Sequence, residues 1–398
     1  MPITAIIITQ GNELINGSIT DTNAQYLCKE LSLYDVQILE HRCLPDDSNS
    51  IASAFLEAMS KADLVISSGG IGPTEDDCTR KACALAFSCE LQENHAAIDE
   101  IEKYYEKIQR PYTPAARSMG ILPSIASAIS NPCGSAPAFR IAYHNSMLYC
   151  FPGVPTELIA LFQQEIIPLL PPKEHIPLVV GCFGAGESQL MKLIEEIPQP
   201  ISYCATRLGI EVTFHHRLSN EHHQVIREAL KPHLYSWGHA NMIQALGELL
   251  VERAETVSTA ESCTSGAIAA WITSISGASR YFLEGSAVYS NEAKMRTCAV
   301  PEEMLIEYGA VSEPVAIALA EGIRKRANST WGISVTGIAG PLGGTPEKPV
   351  GTVHIAVAGP HRTVHKRLQL HGDRGQILQS TMGNVVFLLL QEITVHPL

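Results

Sequence analysis

DLVISSGGIGPTEDD, residues 63–77, decides the fold of the first part of the chain. An apolar, β-branched run enters a glycine-rich turn that ends in two carboxylates. A short continuous apolar run bounded by such a turn marks a strand buried on both faces. Working outward, ITAIIIT at 3–9 is a second such run and VQIL, from Val36, opens a third. NAQYLCKELSL at 23–33 and SIASAFLEAMSKA at 50–62 carry apolar residues at helical spacing. Strand and helix alternate, which implies parallel βαβ units with right-handed crossovers. AFRIAYHNSMLYCF at 138–151 predicts a hairpin turning at His144-Asn145, and a helix is expected over 155–170. Pro171-Pro172 marks a boundary, so the expected first domain is 1–172.

Residues 173–243 read as a small α+β module: a strand (IPLVVGCFG), a helix (ESQLMKLIEEI), two strands and a helix (HHQVIREALKPHL). Its histidines 215, 216, 222 and 223 fall in adjacent pairs, whose side chains diverge in either secondary structure, which disfavours a shared metal. Residues 244–398 read as another α/β domain. A helix (IQALGELLVERA) leads to the strand ETVSTA, the turn ESCTSG and a helix through AAWITS. The strands GISVTG, GTVHIAVAG and a stretch around 363–370 follow, and a helix begins after GDRGQI. No repeat of 20–50 residues is visible, which argues against a solenoid.

The net charge of −13, with no local basic patch, argues against nucleic-acid or membrane-surface partners. RKR at 324–326 sits late in a helical pattern, where it complements the helix dipole. The 11 cysteines include no CxxC pair, which argues against a disulfide framework or zinc cluster and for thiols in a reducing compartment. No apolar run approaches the roughly 20 residues of a membrane helix. No basic segment precedes ITAIIIT, so the expectation is a cytoplasmic protein.

Three clusters lie at expected C-terminal strand ends: QGNEL at 10–14, SGGIGPTEDD at 68–77 and FPGVPTE at 151–157. Ligands of open parallel sheets bind at that edge. Gly69, Gly70 and Gly72 let backbone N–H groups approach an anion. Asp76 and Asp77 beside such a loop suit a divalent metal, because alone they would repel phosphate; the plainer alternative is a turn with an acidic helix cap. The pattern matches neither GxGxxG nor GxxxxGKS.

In the last domain, TAESCTSG at 259–266 and YSNEAK at 289–294 carry Ser262, Tyr289 and Lys294. A serine hydroxyl attacks only when something takes its proton, and a lysine kept neutral by burial can do so, directly or through a tyrosine hydroxyl. The set suggests amide or ester cleavage through a covalent intermediate; the plainer alternative is a structural serine with two surface polar residues. Cys263 is the rival nucleophile, since a helix N-terminus lowers a thiol pKa. N–H groups of the helix behind Ser262 are expected to stabilise an oxyanion or hold a phosphate. GIAGPLGG at 337–344 reads as a phosphate-wrapping loop or a flexible turn.

GNELINGSITDTNAQYL, SGGIGPTEDDCTRKA, NPCGSAP and FPGVPTEL, in this order, resemble the CinA family, whose N-terminal domain is similar to the molybdopterin-binding fold. The resemblance implies a metal-dependent ADP-ribose pyrophosphatase releasing AMP and ribose 5-phosphate, using Mg, Mn or Co together with K+. It assigns Gly69, Gly70, Gly72, Asn23 and Gly153 to substrate and Asp76, Asp77 and Glu13 to the metal. TAESCTSG, GSAVYSNEAK, YGAVSE, VTGIAGPLGGTPEKPVGTVHIA and GDRGQI resemble the nicotinamide-nucleotide amidohydrolases. That likeness implies hydrolysis of nicotinamide mononucleotide to nicotinic acid mononucleotide and ammonia, without a cofactor. It makes Ser262, Tyr289 and Lys294 catalytic and gives Thr264, Gly266, Gly337, Gly340 and Arg374 to the substrate. Arg374 would reach the phosphate or carboxamide region, the alternative being a pair with Asp373. The fold class expected is thus α/β: a molybdopterin-binding-like domain, a small KH-type α+β module and an amidohydrolase domain, in a homodimer.

The chain departs from the family pattern at Gln10-Gly11-Asn12, at TPAARSMG (113–120) and at Ser265, where glycine is usual. The first two motivate an alternative with only the deamidase active and the N-terminal domain a nucleotide-binding scaffold. A competence-linked binding protein and a molybdopterin adenylyltransferase are further alternatives. The middle module lacks a GxxG loop followed by basic residues, the combination that RNA-binding KH domains use.

Overall fold

The computed structural model describes residues 2–395. The chain divides into two compact units, 1–176 and 177–398.

In the first unit, strands β1 (Ile3–Gln10), β2 (Val36–Leu44) and β3 (Leu64–Ser68) are joined by the helices Thr22–Leu31 and Ser48–Lys61. Two short strands, β4 (Leu91–Glu93) and β5 (Ile121–Pro123), pair separately, and β6 (Ser127–Ile129), β7 (Ala138–Tyr143) and β8 (Ser146–Phe151) complete the main sheet. Its order is β2-β1-β3-β8-β7-β6. The first four strands run parallel, and β7 and β6 add antiparallel. The hairpin turns at His144-Asn145 as expected, with Tyr143 opposite Ser146.

The apolar run of β1 is explained by its two covered faces. Ile6 and Ile8 pack with Phe55, Val65 and Leu148 on one side, whereas Ala5 and Ile7 pack with Leu27, Ile66 and Phe162 on the other. Burial of each such side chain stabilises by about 1.5–3 kcal/mol. The parallel strands therefore end together, and the loops after Gln10, Ser68 and Phe151 emerge at one edge.

The second unit holds two sheets. β9 (Leu178–Cys182), β10 (Ile201–Thr206), β11 (Gly209–Phe214) and β12 (Leu234–Trp237) form an antiparallel sheet of order β10-β11-β9-β12. β12 was not expected from sequence: the helix Asn220–Leu230 stops before Pro232, and LYSW pairs with β9 instead of continuing the helix. The second expected helix likewise shortens to Glu187–Leu193.

β13 (Val257–Glu261), β14 (Phe282–Ala287), β15 (Trp331–Gly337), β16 (Thr352–Ala358) and β17 (Thr363–Gln369) form the other sheet, ordered β14-β13-β15-β16-β17. β14, β13 and β15 are parallel, and β16 and β17 return antiparallel. Helices Met242–Glu252 and Arg374–Val395 bury Leu246, Leu250, Val386 and Leu390 with Ile333 and Ile355 of the sheet. The helix Glu313–Ala327 packs its alanines Ala316 and Ala320 on Ala356 and Ala358 of the other face. No helix among the described residues is long and apolar enough to cross a membrane.

Candidate active sites

Ser262 is the first residue past β13. Its N–H donates to the Val335 carbonyl (2.9 Å), which holds it at the end of the parallel strands. The helix Asn291–Cys298 opens after β14, capped by Ser290, whose hydroxyl accepts from the Ala293 N–H (3.1 Å). That cap fixes the first turn, from which Lys294 projects inward and is only 1% exposed. Its Nζ lies 3.3 Å from Ser262 Oγ, 2.9 Å from the Val288 carbonyl and 3.0 Å from the Tyr289 carbonyl.

These three contacts have a chemical consequence. A neutral amine has two N–H donors and one lone pair. The two carbonyls can only accept, so they take both donors, and the lone pair is left facing the serine hydroxyl. Burial pushes the Lys294 pKa below the ordinary lysine range, against smaller opposing effects of Cys263, Cys298 and Glu292. Tyr289 enters through its carbonyl, while the residue itself is 61% exposed. Lysine and serine therefore meet directly, without the phenol between them.

The helix behind Ser262, Ala267–Thr273, does not offer the free N–H groups that its position suggested. The buried carboxylate of Glu261 takes them: Oε2 accepts from Gly266 and Ile268 (both 3.0 Å), and Oε1 accepts from Ala269 (2.8 Å). Ala267 N–H donates to the Thr264 carbonyl and Ser265 N–H to the Ser262 carbonyl. Among the described residues this leaves the N–H groups of Cys263 and Thr264 as those of the turn with no backbone partner. Thr264 is buried and its hydroxyl has no hydrogen-bond partner. Burial pushes the Cys263 thiol up to about 12, so it is protonated at neutral pH and a poor nucleophile.

Ser265 adopts φ 52° and Gly266 φ 99°. The first is a left-handed conformation in which a glycine is at ease and a serine is not. The Ser265 side chain is exposed, so its cost falls on the turn. Gly337 closes β15 opposite Val353, and the next turns carry Gly340, whose carbonyl accepts from Arg374 Nη1 (3.0 Å). Arg374 thus holds the glycine-rich loop. Asp373 serves as helix cap, accepting from the Gln376 N–H (2.8 Å).

In the first unit, one cleft of about 370 Å³ gathers Glu13, Gly69, Gly70, Gly72, Asp76, Asp77 and Gly153. The loop is built from below. A Cβ on Gly70 would come within 2.5 Å of Thr79 Oγ1, which itself lies 2.6 Å from Gln10 Oε1. Arg80 donates to the Gly72 carbonyl (2.8 Å) and to that of Ile71. Asn23 lies buried beneath, its amide donating to Ser68 Oγ (3.0 Å) and the Gly153 carbonyl (2.7 Å), so it ties two loops together.

Asp77 likewise serves the loop. Its oxygens accept from the N–H groups of Gly72 and Thr74 (both 2.8 Å) and from the Thr74 hydroxyl (2.5 Å). Asp46, not foreseen from sequence, lines the same cleft. Its pKa is raised by burial and by the charges of Glu13, Asp76 and Asp77, with the Asn12 N–H acting in the opposite sense. Among the described residues, no three His, Cys, Asp or Glu side chains are gathered closely enough to hold a metal ion. The histidine pairs are used locally: His215 meets Ser202, His222 completes the capping box of its helix and His223 packs edge-on against Trp237.

Residues 239–393 match the family model described as "CinA C-terminal domain", and residues 6–172 the one described as "Probable molybdopterin binding domain". A CinA-like protein of Citrifermentans bemidjiense is 36% identical over 388 residues, covering 94% of each chain. The chain belongs to the CinA family. A CinA-like protein of Kosmotoga olearia is also 36% identical, over 94% of this chain and 95% of its own. The crystal structure of competence/damage inducible protein CihA from Agrobacterium tumefaciens is 35% identical and covers 38% of this chain and 92% of its own, with a TM-score of 0.37.

For this CinA-family chain, two site residues escaped the sequence reading, Glu261 and Asp46. Both had a signal. Glu261 precedes the serine on a strand that is otherwise apolar or hydroxylic, and Asp46 sits in LPDD at the end of a parallel strand.

Proposed function

We propose that the C-terminal part of this CinA-family protein is an amidohydrolase that converts nicotinamide mononucleotide to nicotinic acid mononucleotide and ammonia. The observation that carries this reading is the Lys294 amine, buried and held by two carbonyls with Ser262 Oγ at 3.3 Å. Lys294 takes the Ser262 proton as Oγ attacks the carboxamide carbon. The N–H groups of Cys263 and Thr264 stabilise the oxyanion, and the proton on Lys294 passes to the departing nitrogen. Water then cleaves the acyl-serine with Lys294 again as base. Arg374 and the 337–344 loop hold the nucleotide end.

Ammonia release from nicotinamide mononucleotide tests this. Ser262→Ala and Lys294→Met should each abolish it, and Cys263→Ala should retain it. Full activity of Ser262→Ala with loss in Cys263→Ala would overturn the mechanism.

The N-terminal unit is read as a metal-dependent ADP-ribose pyrophosphatase. The carboxylates Glu13, Asp46 and Asp76 fit a hard cation bound by one or two protein oxygens, with phosphate and water completing its shell, and not an all-protein cage. Mg, Mn or Co would there neutralise the diphosphate, and K+ would assist. The N–H groups of Gly69 and Gly72, expected to face an anion, are taken by the Phe151 carbonyl and Asp77, so the phosphates would be received on those of Gly70 and Ile71. A second reading, a nucleotide-binding scaffold without hydrolysis, is favoured by the commitment of both Asp77 oxygens to the loop. Release of AMP from ADP-ribose with metal, lost in Asp76→Ala, would exclude the scaffold. All 11 cysteines are free, which supports a reducing, cytoplasmic location.

A further inference from the structure

The cleft of the first unit has two chemically different ends. At one, Asp46 feels the charges of Glu13, Asp76 and Asp77. The remaining cleft carboxylate, Glu157, stands apart from that group. Its pKa is raised by burial and eased by Asn131, with no carboxylate neighbour contributing.

Glu157 is firmly held. It lies in the first turn of the helix Pro155–Glu165, and its Oε2 accepts from Asn131 Nδ2 (2.7 Å). Asn131 is itself fixed: the same Nδ2 donates to the Ala136 carbonyl (2.9 Å), and Oδ1 accepts from the N–H groups of Cys133 (3.1 Å) and Gly134 (3.0 Å). A Cβ on Gly134 would come within 2.2 Å of the Glu157 carboxylate, so the loop is seated closely on it. This arrangement spends Oε2 and leaves Oε1 as an acceptor in a cleft walled by Ser135, Ala136, Pro152 and Val154.

A lone carboxylate without a cationic partner repels a phosphate and attracts hydrogen-bond donors. The phosphates of a nucleotide belong to the glycine-loop end, so the neutral part of the ligand must meet Glu157. The vicinal diol of a ribose offers two adjacent O–H donors to such an acceptor, as acidic residues in dinucleotide folds exploit. We infer that Glu157 is the specificity-determining acceptor for the ribose diol of the nucleotide in this cleft, an inference that rests on the nucleotide reading of the unit.

The test is calorimetric titration of the full chain, with Mg2+, against AMP, 2′-deoxy-AMP, 3′-deoxy-AMP and the 5′-monophosphate of purine riboside, which lacks the 6-amino group. The wild type should bind AMP about 10-fold or more tightly than either deoxy analogue, the value of one hydrogen bond to a charged acceptor. Glu157→Gln keeps the Asn131 contact through its amide oxygen and turns an NH₂ toward the cleft. It should bind the three sugars within about 3-fold of one another, because the acceptor has become a donor. Asn131→Ala, which frees the carboxylate without removing it, should give an intermediate preference and serves if Glu157→Gln does not fold. Wild-type discrimination retained in Glu157→Gln would overturn the inference while AMP binding upheld the nucleotide reading. Discrimination on the 6-amino group alone would overturn it in favour of a base contact. Failure of the wild type to bind AMP would overturn both.

Discussion

Replacing Glu261 by Gln should destabilise the second unit and disable its serine, although the two side chains are nearly the same shape. The carboxylate accepts three helix N–H groups with two oxygens, Gly266 and Ile268 on one and Ala269 on the other. A glutamine can present its oxygen to the first pair, but its NH₂ then faces the Ala269 N–H, donor against donor, in a buried site. An orphaned buried N–H costs about 1–3 kcal/mol. Turning the two remaining charge-assisted bonds into neutral ones costs about 1 kcal/mol each, since charge roughly doubles such bonds. The sum is about 3–5 kcal/mol, which for a unit of this size lowers Tm by roughly 6–20 °C. Differential scanning calorimetry measures it, and deamidase kcat follows in the same samples. Ser262 is covalently next to Glu261 and its turn leans on the same helix, so kcat should fall more than KM rises. A variant that melts within about 2 °C of wild type and keeps its kcat would refute the assignment of Glu261 as the anchor of the turn.

Three further outcomes are expected. Deamidase kcat/KM should rise with pH through a single ionisation below the ordinary lysine range, because only neutral Lys294 can act as base and burial lowers its pKa; a rate that falls as pH rises through that ionisation would contradict the role. The same depressed pKa makes the Lys294 contribution to stability full above the unfolded value of 10.5 and progressively lost as pH falls through the folded one. Ser265→Gly should preserve deamidase activity and raise stability by up to about 1 kcal/mol, because glycine relieves the left-handed strain and gives back part of the gain in unfolded-state entropy; chemical denaturation reads it, and a clear loss of stability would show that the serine is needed. His354 has its pKa lowered from 6.5 to about 4 by burial and by His365, Arg367 and Lys348. Its contribution to stability is therefore full above pH 6.5 and lost as pH falls through 4, and a His354→Gln variant should flatten that acid limb in denaturation measured against pH.

The parts of this molecule that were legible in sequence are those governed by periodicity and adjacency. ITAIIIT could only be a two-faced strand, because seven consecutive apolar or β-branched residues cannot alternate inside and out. The pairing of Lys294 with Ser262 came from the family resemblance, because the local features, the Ser290 cap and the end of β13 at Glu261, place each residue on its own element without bringing the two together. What escaped depended on side chains reaching across turns. Glu261 touches residues five, seven and eight positions later, a reach set by the left-handed pair Ser265-Gly266 and not by helical spacing. Asp77 was read beside Asp76 as a metal ligand, yet it staples its own loop, a choice made by the bend at Pro73 and Thr74. Only Leu234 of LYSW was absorbed into the expected helix, and Tyr235-Ser236-Trp237 was left without an element, because three residues show no periodicity until the partner strand β9 is known.

The anchoring role of Glu261 also bears on how the serine can work. A helix N-terminus beside a nucleophile is ordinarily a source of positive potential, and a substrate phosphate would compete for it. Here the chain neutralises that end with its own carboxylate. On the proposed reading, a substrate phosphate would thereby be excluded from the turn and met by Arg374 and the glycine-rich loop. The oxyanion of the proposed reaction would then fall to the two N–H groups of Cys263 and Thr264. Without the helix field to favour an alkoxide, Ser262 cannot be activated by position alone. The proton must be removed by a group poised to take it, which is why a buried lysine with both donors already spent is the partner the site requires.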